Sequence, residues 1–121
     1  MKILLVDDDV KALNMLAECL TRLGYAISSA DTAEKALAIL AKEKPDVLLC
    51  DLDLSSSCPL DGDIIIAGLK ETSPDTIPIM LTGHTEETAR KRLYEKPDIK
   101  ILHKPVDLKQ LNEMLISVKI C

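Results

Sequence analysis

At four places in this sequence an apolar run changes abruptly into groups that can do chemistry. Asp7, Asp8 and Asp9 follow 3-ILLV-6, and Asp51 and Asp53 follow 47-VLLC-50. Thr82, Gly83 and His84 follow 78-PIML-81, and His103, Lys104 and Pro105 follow 99-IKIL-102. If Asp7, Asp8 and Asp51 converge, each pair at about 5 Å repels by roughly 3 kcal/mol at an effective dielectric of 20. Lys104 alone does not neutralise three acids. A divalent cation does, and oxygen-only ligands suit Mg²⁺ better than Zn²⁺. A carboxylate at the centre of such a site can act as nucleophile toward a phosphoryl group whose equatorial oxygens are held by an ammonium and a hydroxyl. Thr82 and Lys104 have the chemistry for those two roles, and Gly83 allows a ligand oxygen close to the backbone.

These groups need a scaffold, and the rest of the sequence predicts one. Ile3 to Val6 reads as a buried strand, after which Val10, Leu13, Leu16, Leu20 and Leu23 recur at helical spacing until Gly24 supplies a stop. Tyr25 to Ser29 reads as a second strand. Asp31, with Glu34 three residues on, resembles a capping box that opens a helix through Leu40, ended by Lys44-Pro45. Val47 to Cys50 is a continuous apolar run, as expected of a central strand covered on both faces. Residues 63–72 read as a third helix, Pro78 to Leu81 as a fourth strand, Thr85 to Glu95 as a polar helix and Ile99 to Leu102 as a fifth strand. Asp107 and Gln110 cap a last helix with a stripe of Leu108, Leu111, Leu115 and Val118; Met114 and Ile116 are expected to be more exposed. Strands alternating with helices require parallel pairing through right-handed crossovers, hence a three-layer α/β/α sandwich. Sites in open sheets of this kind lie beyond the carboxyl ends of the strands, where the four polar clusters fall.

Composition narrows the function. A chain of 121 residues fits one domain, 1–121, with one core. The aromatic residues are two Tyr, so the core is aliphatic and stacking on bases is disfavoured. A net charge of -5 without a Lys/Arg block gives no footprint for nucleic acid or an anionic membrane. Cys19, Cys50, Cys58 and Cys121 show neither Cys-x-x-Cys spacing nor a secreted disulfide framework, and no run is long enough to span a membrane. A cytoplasmic protein is expected.

The pieces 3-ILLVDD-8, 46-DVLLCD-51, 78-PIMLTG-83 and 102-LHKP-105, in this order and separation, resemble the receiver domain of two-component response regulators over nearly the whole chain. The resemblance implies a flavodoxin-like strand order of 2-1-3-4-5. It implies that Asp51 accepts a phosphoryl group from the phosphohistidine of a histidine kinase or a histidine phosphotransfer protein. Asp7, Asp8, Asp51 and the Asp53 carbonyl would hold Mg²⁺, Thr82 and Lys104 would bind phosphoryl oxygens, and Lys104-Pro105 would be cis. The protein would catalyse only its own phosphorylation and dephosphorylation, and would signal through a shape change to an unknown target or output domain, with a phosphorylation-dependent homodimer among its expected partners. It would stand alone or form the N-terminal part of a longer regulator.

Some residues depart from the receiver pattern. Ile101 stands three before Lys104, where the family usually has Tyr or Phe, and Val106 replaces a common Phe. The segment 54-LSSSCPLDG-62 is longer than the usual receiver loop. Asp53 and His84 occupy positions that in the family tune hydrolysis of the phosphoryl group, which predicts an unusual phosphoryl lifetime. Simpler readings apply elsewhere. Asp9 is expected to cap the first helix, the two histidines to face solvent or pack, Cys50 to fill core space, and Cys58 and Cys121 to be free thiols. The competing function is a phosphatase of the haloacid dehalogenase type, since 51-DLDLS-55 resembles its first motif, with Asp51 as nucleophile and Asp53 as general acid/base. Those enzymes carry a metal-binding acidic pair after the lysine, whereas here only a helix follows Lys104.

Overall fold

The computed structural model describes residues 1–7, 9–51, 61–82, 100–103 and 107–120. Five strands, β1 (Lys2–Val6), β2 (Ala26–Ala30), β3 (Val47–Asp51), β4 (Ile77–Thr82) and β5 (Lys100–His103), form one sheet in the order β2-β1-β3-β4-β5. All four pairings are parallel. Helices α1 (Val10–Arg22), α2 (Ala33–Glu43), α3 (Asp61–Thr72) and α4 (Leu108–Ile120) complete the described elements. The expected helix over 85–95 lies outside the described residues.

The pleat of the strands divides the core. Leu4 and Val6 of β1, Leu48 and Cys50 of β3, and Met80 of β4 pack with Ala36 and Leu40 of α2 and Ile65 and Leu69 of α3. On the other face Ile3, Leu5, Val47, Leu49, Ile79, Leu81 and Leu102 pack with Leu13 and Leu20 of α1 and Leu111 and Leu115 of α4. Successive residues of a strand face opposite sides, so a strand covered by helices on both must be apolar throughout. That is why 3-ILLV-6 and 47-VLLC-50 are apolar throughout and buried. On the α2/α3 side the layers meet closely at Gly68, where a Cβ would collide with Leu37 Cδ2.

Helix ends follow local chemistry. Asp9 is the N-cap of α1, its side chain accepting from the N–H groups of Lys11 and Ala12 at 3.1 and 3.3 Å, as expected from its position. At the other end Gly24 takes φ +97, a left-handed conformation that glycine adopts without strain, and α1 stops. Tyr25 is not the first residue of β2: its N–H donates to Leu20 O, which uses it to close the helix, and the ladder starts at Ala26, whose N–H donates to Met1 O. The capping residue of α2 is Thr32 rather than Asp31; Thr32 Oγ1 accepts from Lys35 N–H at 3.2 Å, while Asp31 pairs with the Lys35 ammonium. At α4, Asp107 accepts from the N–H of Lys109 at 2.9 Å. Val10 and Leu23, the ends of the α1 stripe, are exposed. Met114 is partly buried against the core and Ile116 is exposed, both more open than Leu111 and Leu115 as expected.

At the amino end of the sheet a polar network ties three strands together. Asp46 N–H donates to Lys2 O, Lys2 N–H donates to the Asp46 carboxylate at 2.8 Å, and Ile77 N–H donates to Asp46 O. Beside it, the buried Thr76 hydroxyl bonds both Pro45 O and Ser73 Oγ, linking the turn before β4 to the turn before β3. Replacing Thr76 by Val keeps the shape and orphans both partners, so Thr76→Val is expected to lower the unfolding free energy by about 1–3 kcal/mol in urea titrations. Thr76→Ser should retain most of it; equal losses in both variants would assign the effect to packing.

Candidate phosphoryl-acceptor site

The carboxyl end of the sheet is where the polar groups can emerge. The β1–β3 register ends at Val6 opposite Cys50, and one residue beyond this pair on each strand stand Asp7 and Asp51. Adjacent strands are about 4.8 Å apart, so the pairing brings these two acids to neighbouring positions at the rim. The β3–β4 register places Asp51 level with Leu81, and the β4–β5 register continues that row to Leu102. Leu81 and Leu102 in this row are 3% and 2% exposed, so β4 and β5 are still buried at this level. Thr82 and His103 form the next rung, side by side on β4 and β5.

Asp7 is positioned from both neighbouring elements. Its N–H donates to Ala30 O of β2, extending the β1–β2 ladder by one step, and its Oδ1 accepts from the N–H of Asp9, the cap of α1, at 2.9 Å. Its carboxylate is therefore fixed against the start of α1 rather than left on a loose turn. The residues predicted to act together stand in part together: Asp7, Asp51 and Thr82 end adjacent or next-adjacent strands. Asp8, Asp53, His84 and Lys104 lie outside the described residues, and among the described residues no three metal-ligating side chains cluster. The donor types expected around the site are all oxygen, and the described part, Asp7 with the end of β3 beside it, fits a hard divalent cation such as Mg²⁺.

Next to Asp7, a cleft of about 240 Å³ between α1, β2 and the start of α2 is lined by Val10, Leu13, Asn14, Ser29, Ala30, Asp31 and Lys35. Asp31 and Lys35 face each other across 2.8 Å. The hydrogen bond from Lys35 does most to hold the Asp31 carboxyl below its ordinary value; partial desolvation opposes this, and the Lys35 charge and a backbone hydrogen bond add to it. This pair was not singled out from the sequence, although the four-residue spacing of opposite charges at a helix start is a readable signal.

The comparisons agree with this geometry. The family model for the response regulator receiver domain matches residues 3–116. The transcriptional regulatory protein GlrR of Escherichia coli is 31% identical over 105 residues, covering 87% of this chain; the chain spans only 23% of that relative's length. The signal receiver domain of an HD domain-containing protein from Pseudomonas fluorescens superposes with a TM-score of 0.83 at 29% identity, covering 97% of this chain and 92% of that one. A response regulator protein from Burkholderia pseudomallei, solved with a phosphorylated aspartic acid, a calcium ion and citrate, gives a TM-score of 0.76 at 27% identity over 91% of this chain and 63% of that one.

The Asp31–Lys35 pair yields a pH prediction. Because the folded-state pKa of Asp31 is depressed, the stabilisation from the pair is present above the unfolded carboxylate value and is lost as pH falls through the lowered folded value. In Lys35→Met, Asp31 should titrate at higher pH than in the wild type, followed by NMR of the side-chain carboxyl carbon. An unmoved titration would show that the pair does not form in solution.

Proposed function

The chain belongs to the response regulator receiver domain family, and from that premise we propose that it is a phosphorylation-dependent switch whose acceptor is Asp51. Receivers of this family serve phosphorylation-dependent signalling in two-component systems. The whole of residues 1–121 acts as one receiver domain in this reading. The observation that carries it is the register at the carboxyl end of the sheet, which sets Asp7 beside Asp51 and Thr82 one residue past the Asp51 row. The solved relative that carries a phosphorylated aspartic acid supports the same chemistry.

The donor is the phosphohistidine of a histidine kinase or of a histidine phosphotransfer protein. An Asp51 carboxylate oxygen attacks phosphorus, the phosphorus–nitrogen bond breaks with its electron pair returning to the imidazole, and the product is an aspartyl acyl phosphate. Thr82 Oγ1 donates to one phosphoryl oxygen and the Lys104 ammonium pairs with another. Asp7, Asp8, Asp51 and the Asp53 carbonyl would hold Mg²⁺, which would supply positive charge against the phosphoryl oxygens. Water later hydrolyses the acyl phosphate, so the domain catalyses only its own phosphorylation and dephosphorylation. The added charge, about 1.5 to 2 units, biases a pre-existing equilibrium of the domain toward a form read by a downstream target, an output domain or a second copy. Among the described residues no helix is long and apolar enough to cross a membrane, and the proposed place of action is the cytoplasm.

Incubation with a small-molecule phosphodonor and Mg²⁺, read by intact-protein mass, is expected to give a single phosphoryl adduct. The adduct should be absent in Asp51→Asn and after chelation of the metal. Steady release of phosphate at enzymatic turnover without an adduct would instead support the phosphatase reading, with Asp53 as general acid/base. Decay of the adduct should change in Asp53→Asn and in His84→Ala; unchanged decay in both would remove these two residues from control of the phosphoryl lifetime.

A further inference from the structure

We propose that Asp9 is a positioning residue for the divalent cation, setting its affinity through Asp7 by capping α1; the inference rests on the acceptor reading above. A chain of hydrogen bonds carries it. The Asp9 carboxylate accepts from the N–H groups of Lys11 and Ala12 at 3.1 and 3.3 Å. The Asp9 carbonyl accepts from the N–H of Leu13 at 2.9 Å, and the Asp9 N–H donates to Asp7 Oδ1 at 2.9 Å. Asp9 thus has its side chain and its carbonyl committed to the first turn of α1, with its backbone extended at φ -83 and ψ 99. Its N–H is directed back to the end of β1, so the orientation of the Asp7 carboxylate is inherited from the helix cap.

The first turn of α1 has no other means of staying fixed. Val10, Lys11 and Ala12 are all exposed, and the first buried residue of the helix is Leu13, so core packing begins only there. The turn contains no acid of its own, and the leading N–H groups of a helix need acceptors from outside its ladder. Asp9 supplies the acceptor for two of them; without it the turn frays and the Asp9 N–H loses its place. Metal affinity is sensitive to such a loss. Mg²⁺ demands near-ideal octahedral geometry, and removing a hydrogen bond that orients a ligand typically costs about 10- to 100-fold in affinity. A carboxylate oxygen has two lone pairs, so accepting the Asp9 N–H orients Asp7 and leaves it able to ligate.

The test is titration of the full chain with Mg²⁺ alone, followed by backbone amide shifts in NMR spectra that also report whether each variant is folded. Asp9→Ala is expected to weaken Mg²⁺ binding about tenfold. If that variant does not fold, Asp9→Gly takes its place, since Gly at a cap loses the carboxylate acceptor at less cost in stability. Asp9→Asn caps as well as Asp without the charge, and should bind within about twofold of wild type. Thr32→Ala removes the cap of α2, whose Oγ1 accepts from Lys35 N–H. It should lower the unfolding midpoint much as Asp9→Ala does and leave Mg²⁺ binding at the wild-type level, which separates lost stability from lost positioning. Binding to Asp9→Ala equal to wild type, or equally weakened in Thr32→Ala, would overturn the inference and leave the acceptor reading standing. A loss in Asp9→Asn as large as in Asp9→Ala would also overturn it, by assigning the effect to charge. No saturable binding to the wild type would overturn both.

Discussion

Burial of a parallel sheet on both faces is the constraint from which the rest of this structure follows. Each of β1, β3 and β4 is covered by helices on two sides, so a charged side chain within the strand would have to be desolvated, at a cost of several kcal/mol after relaxation. Charge is tolerated only where the strand leaves the cover, and the chain places it there. Because the strands are parallel, all of these exits lie at one end of the sheet, so acids separated by more than forty residues in sequence become neighbours without any contact between their side chains having to drive it. The site is thus a consequence of where the apolar rungs stop, and register decides which groups share a level.

The same constraint explains what was legible in the sequence. The runs 3-ILLV-6 and 47-VLLC-50 could be assigned to central strands because they lack the alternation of a half-exposed strand; parallel pairing followed from their alternation with helices, and the strand order from the resemblance to receivers. Caps were legible where one residue competes for the role, as at Asp9. At 31-DT-32 two capping residues stand side by side, and Thr32 takes the cap while Asp31 pairs with Lys35 four residues on, so that two local signals compete. Tyr25 was misplaced for a similar reason. Its β propensity is real, but its N–H is needed by the end of α1, and its hydroxyl donates to Asn112 of α4, far away in sequence.

The network at the opposite end of the sheet had no sequence signature. Asp46, Ser73, Thr76 and Pro45 look like ordinary turn residues, and only the parallel register brings the turn before β3 against the turn before β4. Like the site, this network is made of groups that could not be accommodated between the apolar rungs. In it donors are matched by acceptors. The described residues contain no buried side-chain polar atom without a hydrogen-bond partner.

The two ends of the sheet therefore play different parts. In the proposed site the carboxylates would repel one another until a cation is bound. At the amino end, ladder and side-chain hydrogen bonds from Asp46 and Thr76 lock β1, β3 and β4 into register. A slip of one residue there would exchange the two faces of every strand and bury the acids. The locked end keeps Asp7 level with Asp51, and Thr82 one rung beyond. In the proposed switch a binding event could shift only an equilibrium whose alternatives lie within a few kcal/mol, and a sheet held in register at its amino end confines those alternatives to the other end.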